Sequence, residues 1–472
     1  MSRAVTAATT LRTRISGLLR PNARPSDLAA LRIATFVVVL GSPDARQAVH
    51  AAAQPIALAQ APAGGGLLTP LHALGPDVFL VLQWALLAAA ACALVGLWSR
   101  RSAGLVALLG LAVFGLPNLF GTVRHVHHLV WFPALLAASP CGDAWSVDAW
   151  MRRRHGHPAP PPGPAYGAPL QVAWLLAGCI YAFPGLHKLL SGVNWAWSDN
   201  LIHQMRWKWL QVGALPRWRA DTWPTLVRIG GLGVLAFELG WLALALIPGA
   251  RMPLLGATLV FHQVTAQLMF IRFPSLWVLW LGLLPHAWRG PVALGLVRRT
   301  GERVSDTPIK ATHQGATRQT RWLLPAMAAT LLGGASVAGV LGVTNGWPFA
   351  CYPAFARRVG AEMPALRVTL RDRSGHTRHL RPWRWRHGDR QRRWGQQWRL
   401  VLERDPSKRA AALRAWWRHV DHGATPPQTE VRFYRVWLST VPEDQGRERR
   451  AELLLTVPAA ALPGVAPAMR RE

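Results

Sequence analysis

The sequence predicts an all-α polytopic membrane helix bundle of about nine transmembrane helices, followed by a small C-terminal α+β extramembrane domain. Three observations predict it. Hydrophobic residues make up 51% of the 472-residue chain and charged residues only 16%, against about 25% charged in ordinary soluble domains. Apolar runs of the length needed to cross about 30 Å of hydrocarbon recur up to residue 344. From Asn345 those runs stop and short alternating segments replace them. Global disorder is excluded by the same composition. So is a disulfide scaffold: Cys92, Cys141, Cys179 and Cys351 show no CxxC spacing, and three of them lie in or beside apolar segments.

Residues 1–27 are polar and basic, and the first apolar run begins too late for a cleavable signal peptide. Residues 28–344 are expected to form the bundle. Val78–Trp98, Leu323–Val343 and, apart from Glu238, Ile229–Ile247 have the length of full spans. Leu28–Leu40, Ala103–Leu119, Val126–Ser139, Leu170–Leu186, Pro253–Phe270 and Phe273–Trp288 are shorter or interrupted candidates, some carrying proline at Pro117, Pro133 or Pro184. Ala51–Gly66 reads as a low-complexity external loop, and Gly156–Pro169 as a Pro-rich linker.

Cationic residues orient the spans, because cytoplasmic loops are enriched in Lys and Arg. Arg3, Arg12, Arg14, Arg20 and Arg24, then Arg100 and Arg101, then Arg152–Arg154, then Arg298, Arg299, Arg303, Lys310, Arg318 and Arg321 fall on one side if the N-terminus is cytoplasmic. With nine spans the C-terminus is extracytoplasmic, and the expected location is a cell membrane, crossed many times. The basic, tryptophan-rich stretch Lys188–Arg228 falls outside and is expected to be re-entrant or interfacial.

In residues 345–472, Leu366–Leu370, Trp398–Leu402, Val431–Leu438 and Leu453–Val457 read as short strands, and Pro406–Val420 as a helix. This domain carries Trp383, Trp385, Trp394 and Trp398 among Arg381, Arg384, Arg386, Arg392 and Arg393. Arg–Trp stacking or contact with anionic lipid head groups accounts for that composition, and no nucleic-acid partner is expected on the extracytoplasmic side. The domain is expected to be separable from the bundle.

Ionisable and polar residues inside spans are costly and therefore point to function. Arg124, His125, His127 and His128 stand together at the outer start of the fourth span, as ligands, as acid and base, or as an interfacial cluster. No carboxylates accompany them in sequence, and no metal is predicted. Tyr181 to Lys188 forms a second group, in which Pro184-Gly185 is expected to break the helix and turn Lys188 into a cavity. Only four of the 53 cationic residues are lysines. A lysine can surrender its proton and serve as a base, whereas an arginine cannot; the bland alternative is a snorkelling lysine. Glu238, alone in its span, needs a partner or a proton, and Lys188, Arg228 or a histidine are candidates. His262 and Gln267 could hydrogen-bond a polar ligand between helices or simply tie helices together.

These motifs resemble the vitamin K-dependent gamma-carboxylase superfamily, and more narrowly its bacterial relatives with a horizontally transferred transmembrane domain. Leu31-Arg32-Ile33, the histidine cluster, Ser139-Pro140-Cys141-Gly142-Asp143-Ala144-Trp145-Ser146-Val147-Asp148, Gly185-Leu186-His187-Lys188-Leu189 with Trp195, and Phe261-His262 with Gln267 follow the family's order over roughly residues 28–290. The resemblance implies a lyase-like membrane enzyme. In that family a lysine deprotonates reduced vitamin K, whose oxygenation to the epoxide drives carboxylation of a peptide glutamate. Lys188 falls on that lysine, with His128 or His125 as helper. His127, His187, Trp195, Glu238, His262 and Gln267 then belong to the surrounding site. The implied cofactor is reduced vitamin K or another quinol, and the implied partners are membrane lipids, the quinone and a peptide substrate. The family's extended luminal domain is here a short Arg/Trp-rich one. Other readings are a non-catalytic lipid or quinone binder, a transporter or partner subunit, and haem-mediated electron transfer through the histidines.

Overall fold

The computed structural model describes residues 21–121, 125–293, 318–352, 355–372, 374–382, 397–419 and 428–458. Outside them lie Arg3, Arg12, Arg14, Arg20, Arg124, Arg298, Arg299, Arg303 and Lys310, together with Trp383, Arg384, Trp385, Arg386, Arg392, Arg393 and Trp394.

All nine apolar segments are helical. The chain enters through α1 (Pro25–Gly41), where Pro25 sits in the first turn and its missing N–H costs nothing. The short α2 (Gln47–Ala52) and α3 (Leu68–His72) follow in the loop region. Then come α4 (Gly75–Val95), α5 (Ser99–Val113), α6 (His128–Ala137) and the short α7 (Val147–Arg154). The second half comprises α8 (Pro164–Leu190), α9 (Asn200–Val212), α10 (Pro224–Ala245), α11 (Arg251–Met269), α12 (Pro274–Ala293) and α13 (Arg318–Val340).

Among the described residues, five helices are long and apolar enough to cross a membrane: Gly75–Val95, Ser99–Leu119, Pro164–Leu190, Pro224–Ala245 and Trp322–Val340. They become six if Pro25–Gly41 and Pro43–Ala52, bent by 42°, act as one span. These helices mark the chain as a membrane protein. α6 has only 10 residues, half of what a straight crossing needs, and its His128–Phe132 stretch is wholly buried among its neighbours.

The polar motifs of the first half have a structural job. Arg32 on α1 is fully buried, and its guanidinium donates to the carbonyls of Cys141 (2.9 Å), Ala144 (3.3 Å) and Trp145 (2.5 Å). Ser146 caps α7 by accepting from the Ala149 N–H at 2.9 Å. Asp148 accepts from the backbone N–H groups of Trp98 and Ser99, both at 2.8 Å, and so satisfies the start of α5. Gly96, at φ +74°, turns the chain between α4 and α5, where a Cβ would lie 2.2 Å from the Ser146 side chain.

α8 runs unbroken for 27 residues through Pro184, so the expected break before Lys188 does not occur. Proline is tolerated inside a membrane helix where neighbouring helices enclose the freed carbonyl. Gly185 serves a different purpose: a Cβ there would stand 2.8 Å from the Glu238 Cβ. Gly178, one and a half to two turns earlier, would likewise meet Leu242 at 2.5 Å. The two glycines let α8 and α10 touch along a close seam. α10 extends fourteen residues beyond Glu238 toward its own N-terminus, about 21 Å at helical rise. Residues after α8 turn back along that extension, where Gly231 lies against the backbone of Ala196. The stretch Lys188–Arg228 thus folds back on the bundle, with α9 as its amphipathic platform.

Residues 345–352 and 355–360 do not belong to the sheet. Trp347 donates to the Leu111 carbonyl (3.0 Å), Trp131 donates to Pro348 (3.0 Å), and Gln204 on α9 donates to the carbonyls of Phe355 (2.9 Å) and Arg357 (2.8 Å). This connector is bound into the bundle. The sheet itself has four antiparallel strands in the order β2-β1-β3-β4, with β1 Glu362–Asp372, β2 Thr377–Leu380, β3 Gln428–Ser439 and β4 Glu448–Pro458. α14 (Pro406–His419) packs Leu413, Trp416 and Trp417 onto Leu366, Val368 and Phe433. The expected strand Trp398–Leu402 is instead helical; a short apolar run suits either state, and here Leu400 and Val401 fill the gap beside α14. The sheet rests on α9 through Trp207, which meets Trp398 edge-on at 5.4 Å. Arg–aromatic stacking within the domain is present, as Arg450 lies 3.8 Å over the Trp437 ring and Arg367 4.6 Å over Tyr434.

Candidate functional site

One face of α8 organises the polar interior. Gln171, Trp174, Gly178, Tyr181, Gly185 and Lys188 alternate in steps of three and four, so they form a single stripe. All six are buried. Opposite them stand α10, α11 and α12. The Tyr181 hydroxyl and His262 Nε2 are 2.7 Å apart, and the Tyr181 ring stacks on Trp241 with centroids at 5.2 Å. Trp241 in turn donates to the Thr258 hydroxyl at 3.0 Å.

At the end of this stripe Lys188 donates to Glu238 in an ion pair whose side chains are 3% and 5% exposed. Glu238 Oε2 is buried with no hydrogen-bond partner. The Lys188 Nζ also lies 5.3 Å from the centre of the Trp195 ring. Trp195 is held by its donation to the Phe355 carbonyl at 2.7 Å. Cys351 of the connector is within electrostatic reach of Lys188, while burial pushes its thiol up to about 12.

The histidine cluster lies against the same connector. His127 Nε2 faces the Gly346 carbonyl at 3.1 Å and Nδ1 faces the Tyr352 hydroxyl at 3.0 Å. A carbonyl can only accept, so Nε2 carries the proton and Nδ1 accepts from Tyr352. Its ring is enclosed by Trp131, Trp347 and Tyr352 at 5.1 to 5.7 Å. His127 is therefore saturated. His128 is equally buried, yet neither of its ring nitrogens has a partner. His125 lies 4.6 Å from the Tyr352 ring with its Nδ1 unpartnered. Burial raises the Tyr352 hydroxyl well above its ordinary range, so it stays a neutral donor. Lys208 of α9 stands 5.7 Å from the Phe355 ring, and burial lowers its ammonium to about 8.

Cys351, Tyr352 and Phe355 thus bridge Lys188 and Trp195 on one side to His125, His128 and Lys208 on the other. The connector residues were not visible as site residues in the sequence. A tryptophan-, tyrosine- and cysteine-bearing stretch directly after the last apolar run was the available signal. Two expected residues lie elsewhere. His187 points to α13, where its Nε2 bonds the Gly339 carbonyl at 2.8 Å. Gln267 is exposed on α11, five residues from His262 and on a different face. His262 itself keeps Nδ1 free of a partner within the bundle. Among the described residues, no three His, Cys, Asp or Glu side chains gather as metal ligands. Comparison with family models, curated proteins and solved structures finds no match to the chain.

Proposed function

We propose that the chain is an enzyme of the bacterial inner membrane, similar to vitamin K-dependent gamma-carboxylases, in which Lys188 acts as a base on a quinol. The observation that carries this reading is the buried Lys188–Glu238 pair, with one carboxylate oxygen unpartnered, joined through the connector to two histidines with unpartnered nitrogens. In this reading the ligand is a flat, hydroxyl-bearing aromatic that would stack on Trp195 or Tyr352 and take hydrogen bonds at His128 and His125. A bound quinol would supply the electrons and the acidic hydroxyl. Glu238 holds the proton that Lys188 releases, which leaves a neutral amine able to take one from the ligand. His128, neutral and enclosed, positions the oxygen that loses it. In this reading all nine apolar segments are spans, the ten-residue α6 being a short one enclosed by its neighbours, with the N-terminus cytoplasmic and the sheet extracytoplasmic. A peptide glutamate is the acceptor that the resemblance implies.

The ion pair also supports a second reading. Lys188 and Glu238 satisfy each other, and so could merely fasten α8 to α10 in a non-catalytic quinone or lipid binder. Lys188→Arg separates the two, because arginine keeps the charge but holds its proton. Quinol oxidation and epoxidation are measured in detergent micelles for wild type, Lys188→Arg and Lys188→Ala at matched folded protein. The catalytic reading expects a loss of roughly 10²–10⁴-fold in both variants. Equal turnover in wild type and Lys188→Arg overturns it, and an inactive wild type that still binds quinone selects the binder. For topology, a reporter active only in the cytoplasm and fused after Val457 is expected to be silent.

A further inference from the structure

Arg251 opens α11 and is 2% exposed. Among the described residues no carboxylate pairs with it. Its Nε donates to the Ala245 carbonyl at 3.0 Å and one Nη to Gln171 Oε1 at 2.5 Å, while its guanidinium lies 5.4 Å from the centre of the Trp174 ring. The remaining Nη faces His286 Nε2 at 3.4 Å. That contact is between two donors. Trp174 Nε1 can only donate, and it donates to His286 Nδ1 at 3.1 Å. The neutral ring must then carry its proton on Nε2, pointing at a guanidinium that has no lone pair to offer. Beside them, Gln171 Nε2 is buried with no partner, because the Oε1 of the same amide is taken by Arg251. Three N–H donors and one positive charge gather here, and among the described residues no acceptor stands between them. A buried charge of this kind is strongly unfavourable unless something neutralises it.

We propose that Arg251, His286 and Gln171 form a binding site for a single anion at the end of the bundle where α10 turns into α11. The ligand chemistry is a singly charged acceptor that takes N–H donors from all three side chains. It could be a free inorganic anion or the phosphodiester of an anionic lipid head group. On the topology proposed above, this end of the bundle lies at the cytoplasmic face, where both sources occur. The site lies some seventeen residues of α8 from Lys188 and does not depend on what Lys188 does.

The test uses the full chain and its own tryptophan fluorescence as an unfolding signal. A ligand that binds only the folded state raises the unfolding temperature with the logarithm of its concentration. Chloride and inorganic phosphate are titrated against gluconate at constant ionic strength in phosphatidylcholine nanodiscs. Separately, phosphatidylglycerol replaces phosphatidylcholine at low chloride. The wild type is expected to gain several degrees in the salt arms if the anion is free, or in the phosphatidylglycerol arm alone if it belongs to a lipid. Gln171→Glu supplies an internal carboxylate of nearly the same shape, so this variant is expected to start at the higher temperature and stay flat. Gln171→Met keeps the volume but removes one donor, and its half-saturating concentration should rise about tenfold; it carries the test if Gln171→Glu fails to fold. A wild type that is flat in every arm, or a Gln171→Met or Gln171→Glu response equal to that of wild type, overturns the proposal.

Discussion

Glu238 is the carboxylate that Lys188 reaches across the α8–α10 seam, in a place where both side chains are all but closed to solvent. Removing one member of a buried pair strands the other. Glu238→Gln or Lys188→Met alone is therefore expected to cost about 3–5 kcal/mol, and the double variant much less than the sum. Chemical unfolding of the four proteins in mixed micelles gives the cycle. Additive losses would show that the two side chains act independently.

Gly185 should be far less tolerant than Gly233, which lies on the exposed face of α10. A Cβ at Gly185 would crowd Glu238 at 2.8 Å and the Leu239 backbone N at 3.1 Å, whereas nothing lies within 4 Å of a Cβ at Gly233. Gly185→Ala is expected to lower stability by about 1–3 kcal/mol through overpacking. Gly233→Ala should be neutral or slightly stabilising, since alanine is the better helix former by about 1 kcal/mol. Similar melting temperatures for the two variants would refute the close seam.

Lys208 should titrate apart from ordinary lysines. Its lowered value of about 8 means that the folded chain releases this proton while an unfolded lysine still holds it. The cost of burying the ammonium is present in full below pH 8 and is relieved as pH rises from there toward 10.5. Stability is thus expected to rise with pH across that window, and Lys208→Met should abolish this part of the rise. Amine acylation followed by peptide mass spectrometry supplies the direct check: the rate at Lys208 should be half-maximal near pH 8.

The connector makes residue 344 a poor place to end the bundle. A chain cut after Thr344 loses Trp347, Tyr352 and the Phe355 carbonyl, so His127 and Trp195 lose their partners. It is expected to aggregate, whereas a chain cut after Gly360 should remain dispersed in detergent. Tyr352→Phe in the full chain should cost about 1 kcal/mol. Size-exclusion profiles of the two truncations and thermal melts of the point variant decide it.

Much of the bundle was legible because burial in lipid demands apolar runs, and every such run became a helix. Lys188 and Glu238 could be singled out since ionisable groups are rare in those runs, and Trp195 through the family resemblance alone. Pro184-Gly185 misled, because a proline that breaks helices in water is held by its neighbours here. Gln267 and His187 were grouped by nearness in sequence, but helical rotation sends them to other faces. Arg251 carries no sequence signal of its own, just ahead of the Pro253–Phe270 run. Only the way the α10–α11 turn lies against α8 shows it as buried. Trp398–Leu402 was too short for its period to distinguish strand from helix. Tyr352 and Cys351 lie more than 160 residues from Lys188, and no local pattern could join them to it.

The connector has a consequence for biogenesis. A ribosome delivers α6 and α8 long before it reaches residues 346–357, which supply the partners of His127, Trp131 and Trp195. Until that stretch emerges, the nascent bundle carries open polar groups in its middle. The last-made segment of the membrane half therefore acts as the keystone, and a chain whose synthesis stops short of it presents quality-control proteases with an unfinished interior.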